Sequence, residues 1–186
     1  MKKLNNKGFT LIELLAVITI MGILMLVAIP AVTRTIENSR RNTLANTILL
    51  YVDAIRTSVV ADEVECVKGT YNATSNPYQP ISSLPDSTSS VAYYVNINGP
   101  GDWMQSGGKS SWSSRTIKGY VKIEKSGSTG TTVKYTYSAY LNDGIHGLKS
   151  LTSEEQVKRA NIATTGAGYP TDMAADSGNY ICQLSA

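Results

Sequence analysis

The chain has 186 residues, enough for one modest domain and a membrane segment, and its 17 basic against 14 acidic residues give a net charge of +3. Lys2, Lys3 and Lys7 account for that excess, since setting them aside leaves 14 basic against 14 acidic residues, so bulk charge makes no case for a nucleic-acid binder. One histidine and two cysteines leave no His cluster and no CxxC pair for a metal, and no phosphate loop or nucleophile elbow occurs.

The chain opens with a short basic flank, residues 1–8, that ends in Gly8. From Phe9 to Ile29 the sequence is nearly all aliphatic, broken by Thr10, Glu13, Thr19 and small residues. Such a run is long enough to cross a hydrocarbon layer of ~30 Å as a helix. Glu13 inside it is expensive unless a counter-charge is supplied, and the run holds no lysine or arginine. Cutting between Gly8 and Phe9 would create one: the freed α-amine of Phe9 lies one helical turn from Glu13. Within a chain the two could pair at the membrane surface. Between chains, the amine of one could meet Glu13 of another shifted along the axis, which favours staggered assembly.

Gly8-Phe9-Thr10-Leu11-Ile12-Glu13 resembles the cleavage and N-methylation signal of type IV pilins and of the pseudopilins of type II secretion and competence systems. Gly22 and Pro30 stand where such pilins carry a helix-weakening glycine and a kinking proline. The resemblance covers roughly Lys7 to Ile36; the remainder is similar only in layout. It implies that a prepilin peptidase cuts after Gly8 and methylates Phe9, that Glu13 neutralises the amine of a neighbouring subunit, and that the helix loosens between Gly22 and Pro30 in the filament. It further implies a structural role, without enzymatic activity, cofactor or metal. The partners implied are the membrane, other pilin subunits, and the pilus or secretion assembly machinery. The positive-inside rule is close to a tie, with Lys2, Lys3 and Lys7 on one side and Arg34, Arg40 and Arg41 on the other. The resemblance sets the orientation: N-terminus in the cytoplasm, a single pass through the inner membrane, then a filament outside the cell. A secretory signal peptide would have a shorter apolar core followed by a small-x-small cut site, and a plain anchor has no need for Glu13.

After Pro30 the pattern turns amphipathic. Val32, Ile36, Leu44, Ile48, Tyr51, Val52, Ile55 and Val59 form one apolar stripe at helical period, and no glycine or proline interrupts Ala31 to Val67. The spacing predicts one helix continuing to about residue 64, with residues 31–66 as its amphipathic half and Cys66 at its end. The alternative is two helices hinged at Pro30.

Residues 67–186 read as a β-rich head. Residues 68–90, with three prolines and many Ser, Thr and Asn, predict a wrapping loop. Val91 to Ile97 is a strand, and Thr116–Glu124 and Thr132–Leu141 alternate apolar and polar residues about a turn at Ser126–Gly130. Matching their apolar faces pairs Ile123 with Val133 and Val121 with Tyr135, an antiparallel hairpin laid on the helix stripe. Thr152-Ser153-Glu154-Glu155 has the form of a capping box and predicts a short helix to about Ala160. Tyr180–Leu184 is a last strand or an extended tail. The fold class is α+β, a long N-terminal helix packed on an antiparallel sheet.

Cys66 and Cys182 could form a disulfide in an exported head or remain free thiols. A thiol hydrolase can be sketched from Cys182, His146 and Asp143, but the spacing gives it no support. The reading is a processed, polymerising subunit of a type IV pilus or related filament. The rivals are a minor pseudopilin of a secretion or DNA-uptake system, and a filament-tip adhesin or DNA-binding module. For the last, Lys118, Lys122 and Lys134 would share the outer hairpin face with Tyr120.

Overall fold

The computed structural model describes residues 9–99, 103, 108–127, 132–175 and 178–185, and it divides into two compact units, Met1–Ser39 and Arg40–Ala186. A single α-helix, α1 (Leu11–Val60), runs through Pro30 and contributes to both.

In the N-terminal unit every described residue is exposed except Glu37, which is half-buried. Pro30 has no N–H to donate, so the carbonyl one turn earlier loses its usual donor. The hydroxyls of Thr33 and Thr35 donate to the carbonyls of Ile29 and Ala31 at 2.8 and 3.0 Å, adding local bonds around the break. The helix is not interrupted.

In the C-terminal unit the stripe behaves as its period requires: Leu44, Ala45, Ile48, Tyr51, Val52, Ile55 and Val59 are buried. The helix stops at Val60, short of residue 64. Asp62 adopts a left-handed backbone (φ 59°), and the amides of Asp62 and Glu63 donate back to the carbonyls of Val59 and Ser58. This is a Schellman termination, with aspartate where glycine is usual. Cys66 therefore belongs to a strand and does not end the helix, which corrects the 31–66 helical boundary.

That strand is β1 (Val64–Lys68); the others are β2 (Gln79–Pro80), β3 (Ala92–Ile97), β4 (Lys118–Ser126), β5 (Lys134–Asn142), β6 (Thr152–Ser153) and β7 (Asn179–Leu184). They form one sheet in the order β2-β1-β7-β3-β4-β5-β6, antiparallel except where β3 meets β7. β7 lies inside the sheet, joining β1 to β3. Pro80 sits in the edge strand β2, where its missing donor costs no ladder bond. Burial alternates along β3 and β4, so Tyr93, Val95, Ile97, Val121 and Ile123 join Ala139 and Leu141 of β5 and the helix stripe in one core.

Two expected details differ. The hairpin pairs Ile123 with Tyr137 and Val121 with Ala139, four residues further along β5 than the apolar match suggests. The shift is even, so the faces are preserved, and Val133 is left 38% exposed. Its cause is Lys125. This residue is 1% exposed, and its Nζ donates to the carbonyls of Ile81, Ser82 and Leu84, so β4 continues inward through it and the turn starts later. Nor do residues 152–160 form an α-helix: Thr152–Ser153 is strand β6, followed by 3-10 turns at Glu154–Gln156 and Arg159–Asn161. The capping interaction fails because the Thr152 hydroxyl donates to the Ser150 carbonyl and Ser153 makes no side-chain cap, while Glu154 binds Arg56.

Candidate functional site

The capping box that residues 152–155 lack is present at the start of α1. Thr10 is the N-cap, and Glu13 lies at the third helical position. The Thr10 amide and hydroxyl donate to Glu13 Oε2 at 2.8 and 2.7 Å, and the Glu13 amide reaches back to Thr10 Oγ1 at 3.4 Å. Both bonds to the carboxylate fall on Oε2, so among the described residues Oε1 has no partner. The carboxylate thus complements the positive end of the helix while keeping one oxygen outward. The T-x-x-E pattern at Thr10–Glu13 is the local sequence signal for this cap.

Phe9 is 85% exposed, beside this cap. Gly8 and the rest of the basic flank lie outside the described residues. Leu11, Ile12, Leu14, Leu15, Ile18 and the apolar residues that follow to Ile29 are all more than half exposed or close to it, an uncovered apolar surface that requires lipid or other helices. Among the described residues α1 is the one helix long and apolar enough to cross a membrane. Around Gly22 nothing lies within 4 Å of where a Cβ would stand, so the glycine is not needed for close packing within this chain.

These features coincide with a known signature. The chain carries the prokaryotic N-terminal methylation motif. The family model of that name matches residues 3–29, and the motif is characteristic of type IV pilin and prepilin-like class III signal peptides. No curated protein and no solved structure matches the chain. The methylation motif supports a type IV pilin-like or pseudopilin protein, implying processing by a prepilin peptidase and assembly with other pilin subunits. It points to a structural subunit, and with the apolar helix it fits a membrane-anchored protein. One long N-terminal helix with a mostly antiparallel sheet is the α+β arrangement of the pilin fold.

Cys182, His146 and Asp143 are not assembled as a thiol hydrolase. Cys66 and Cys182, paired across β1 and β7, are joined as a disulfide, so Cys182 has no thiol to act as nucleophile. His146 Nδ1 does lie 3.1 and 3.2 Å from the two oxygens of Asp143, and its ring stacks on Trp112 at 4.4 Å. Ser110, however, donates to Asp143 and not to the imidazole, so the hydroxyl is not aligned with a base. Burial pushes the Asp143 carboxyl up, but hydrogen bonds from Ser110, the amides of His146 and Ile145 and the His146 ring outweigh it and hold it below the usual carboxylate range. The cluster fixes the loop between β5 and β6. Lys118, Lys122 and Tyr120 alternate with core residues and so face away from the helix, as does Lys134. Lys122 is ion-paired to Glu124 at 2.6 Å and Lys118 lies 5.7 Å from the Tyr169 ring.

Proposed function

We propose that the protein is a structural subunit of a type IV pilus or a related type II secretion-like filament. Residues 1–8 are a leader removed at Gly8/Phe9, Phe9 is the methylated N-terminus, and residues 9–30 form the membrane and filament-core segment. The single observation that carries this reading is the Glu13 carboxylate. It is half-occupied by its own cap and half open, and it stands at the head of an uncovered apolar helix within the matched motif. Cleavage converts the amide nitrogen of Phe9 to an amine next to a carboxylate that retains a free oxygen. An incoming neighbour's amine can take that oxygen without dismantling the cap, and the pair removes a charge that would otherwise be stranded in the apolar core. Pro30 and the open surroundings of Gly22 mark the stretch where the helix can bend or loosen on assembly. The filament would lie outside the cell, with its subunits drawn from the inner membrane.

Intact-mass and N-terminal analysis of protein from cells tests the reading, with a chain beginning at methylated Phe9 expected and one beginning at Met1 excluding it. For Glu13→Ala we expect normal membrane insertion and a strong fall in filament yield, assayed by shearing and immunoblot. An unchanged yield would remove Glu13 from the docking step. Abundance in sheared fibres separates a major pilin from a minor pseudopilin of secretion or DNA uptake.

A further inference from the structure

A polar groove of ≈ 530 Å³ opens on the sheet face turned away from the core, within the size range of about 300–1,000 Å³ usual for small-molecule sites. Its floor is built from β3, β4 and β5, where Tyr94, Lys122, Glu124 and Thr136 come together. One wall is the turn preceding β3, closed by paired bonds between the backbones of Thr88 and Val91 and rich in hydroxyls.

Two arrangements organise the floor. Lys122 Nζ lies 2.6 Å from Glu124 Oε1, and the Thr136 hydroxyl stands 3.5 Å from Glu124 Oε2, so a donor and an acceptor are presented side by side on a rigid ladder. Tyr94 meets Tyr120 edge-to-face at 5.6 Å, and Tyr120 meets Tyr140 in the same way at 5.7 Å, which holds the Tyr94 ring in place. Lys125 also borders the groove, but its ammonium is turned inward to the carbonyls of Ile81, Ser82 and Leu84. Among the described residues, the charges presented at the floor therefore sum to zero.

The geometry points to a binding site for a neutral, polyhydroxylated ligand, namely a saccharide. A vicinal diol matches the Lys122–Glu124 pair: one hydroxyl accepts from the ammonium while its neighbour donates to the carboxylate. Tyr94 supplies aromatic surface for the C–H face of a sugar ring. An anionic ligand such as a nucleic-acid backbone would meet Glu124, whose side chain is half exposed, and the ammonium presented beside it, that of Lys122, is already paired with that carboxylate. A purely apolar ligand would strand the hydroxyls and the ion pair. The site is independent of the filament-subunit reading, since it uses only the head.

The test is calorimetric titration of the full chain, solubilised in a detergent without a sugar headgroup, with chitotriose and maltotriose as neutral probes and trigalacturonate as the anionic one. We expect one of the neutral trisaccharides to bind at least tenfold more tightly than trigalacturonate. Both Glu124→Gln and Tyr94→Ala are expected to weaken that binding at least tenfold. Glu124→Gln is exposed and isosteric, so it carries the test even if Tyr94→Ala does not fold. Absence of neutral-sugar binding up to about 20 mM, a millimolar-scale limit, would overturn the proposal. So would binding unchanged by Glu124→Gln, or a preference for trigalacturonate.

Discussion

At the scale of single residues, Tyr137 is the most exposed to a clean test. Its side chain is 5% exposed, and its hydroxyl has no hydrogen-bond partner among the described residues, while the Arg56 guanidinium lies 5.2 Å from the ring centroid. A buried hydroxyl without a partner costs about 1–3 kcal/mol, so Tyr137→Phe should leave stability equal or higher at pH 7, by up to ~2 kcal/mol. Burial also pushes the Tyr137 phenol up to about 12. Below the ordinary tyrosine range the neutral phenol suits both states; as pH rises towards 12 the unfolded chain ionises first, and the fold loses that advantage. Wild type should therefore lose about 2–3 kcal/mol more than Tyr137→Phe between pH 9 and pH 12. Urea midpoints at the two pH values measure it. Lys125 carries the opposite lesson, because a lysine beside a Ser-Gly turn reads as solvated, and nothing local announces three carbonyls waiting some forty residues upstream.

At the scale of elements, periodicity identified the amphipathic half of α1 and strands β3, β4 and β5, because burial on one face writes itself directly into the sequence. What it did not fix were the boundaries. The helix end depends on Asp62 taking a left-handed backbone that usually belongs to glycine, and the hairpin register depends on Lys125 turning inward. Both are decided by tertiary contacts. The same ladder yields a prediction at Gly119, in β4, whose φ is +137° and where a Cβ would stand 2.0 Å from the Tyr140 carbonyl oxygen. That oxygen is backbone and cannot step aside, so Gly119→Ala should destabilise the head by about 3 kcal/mol or more. Circular-dichroism melts would record the drop; a melting temperature within a degree or two of wild type would mean the strands separate more easily than their pairing suggests.

At the scale of the molecule, the N-terminal motif was legible because its chemistry is contiguous: one glycine, one apolar run and one acid. The groove on the sheet was not, since Tyr94, Lys122, Glu124 and Thr136 meet only after three strands have found their register. The disulfide is intermediate, with two cysteines visible in the sequence but 116 residues apart. In the chain-entropy picture, closing so long a loop stabilises by up to about 5 kcal/mol. The double variant Cys66→Ser with Cys182→Ser should lose about 2–5 kcal/mol, read as a lower urea midpoint under oxidising conditions and as no difference from wild type after reduction. β7 gives that bond a wider meaning. Because β7 is the seam between β2-β1 and β3-β4-β5-β6, two half-sheets keep raw edges until it is in place. A deletion of Asn179–Leu184 alone should be as damaging as the loss of half the head, because the edges of β1 and β3 would then stay open to other chains.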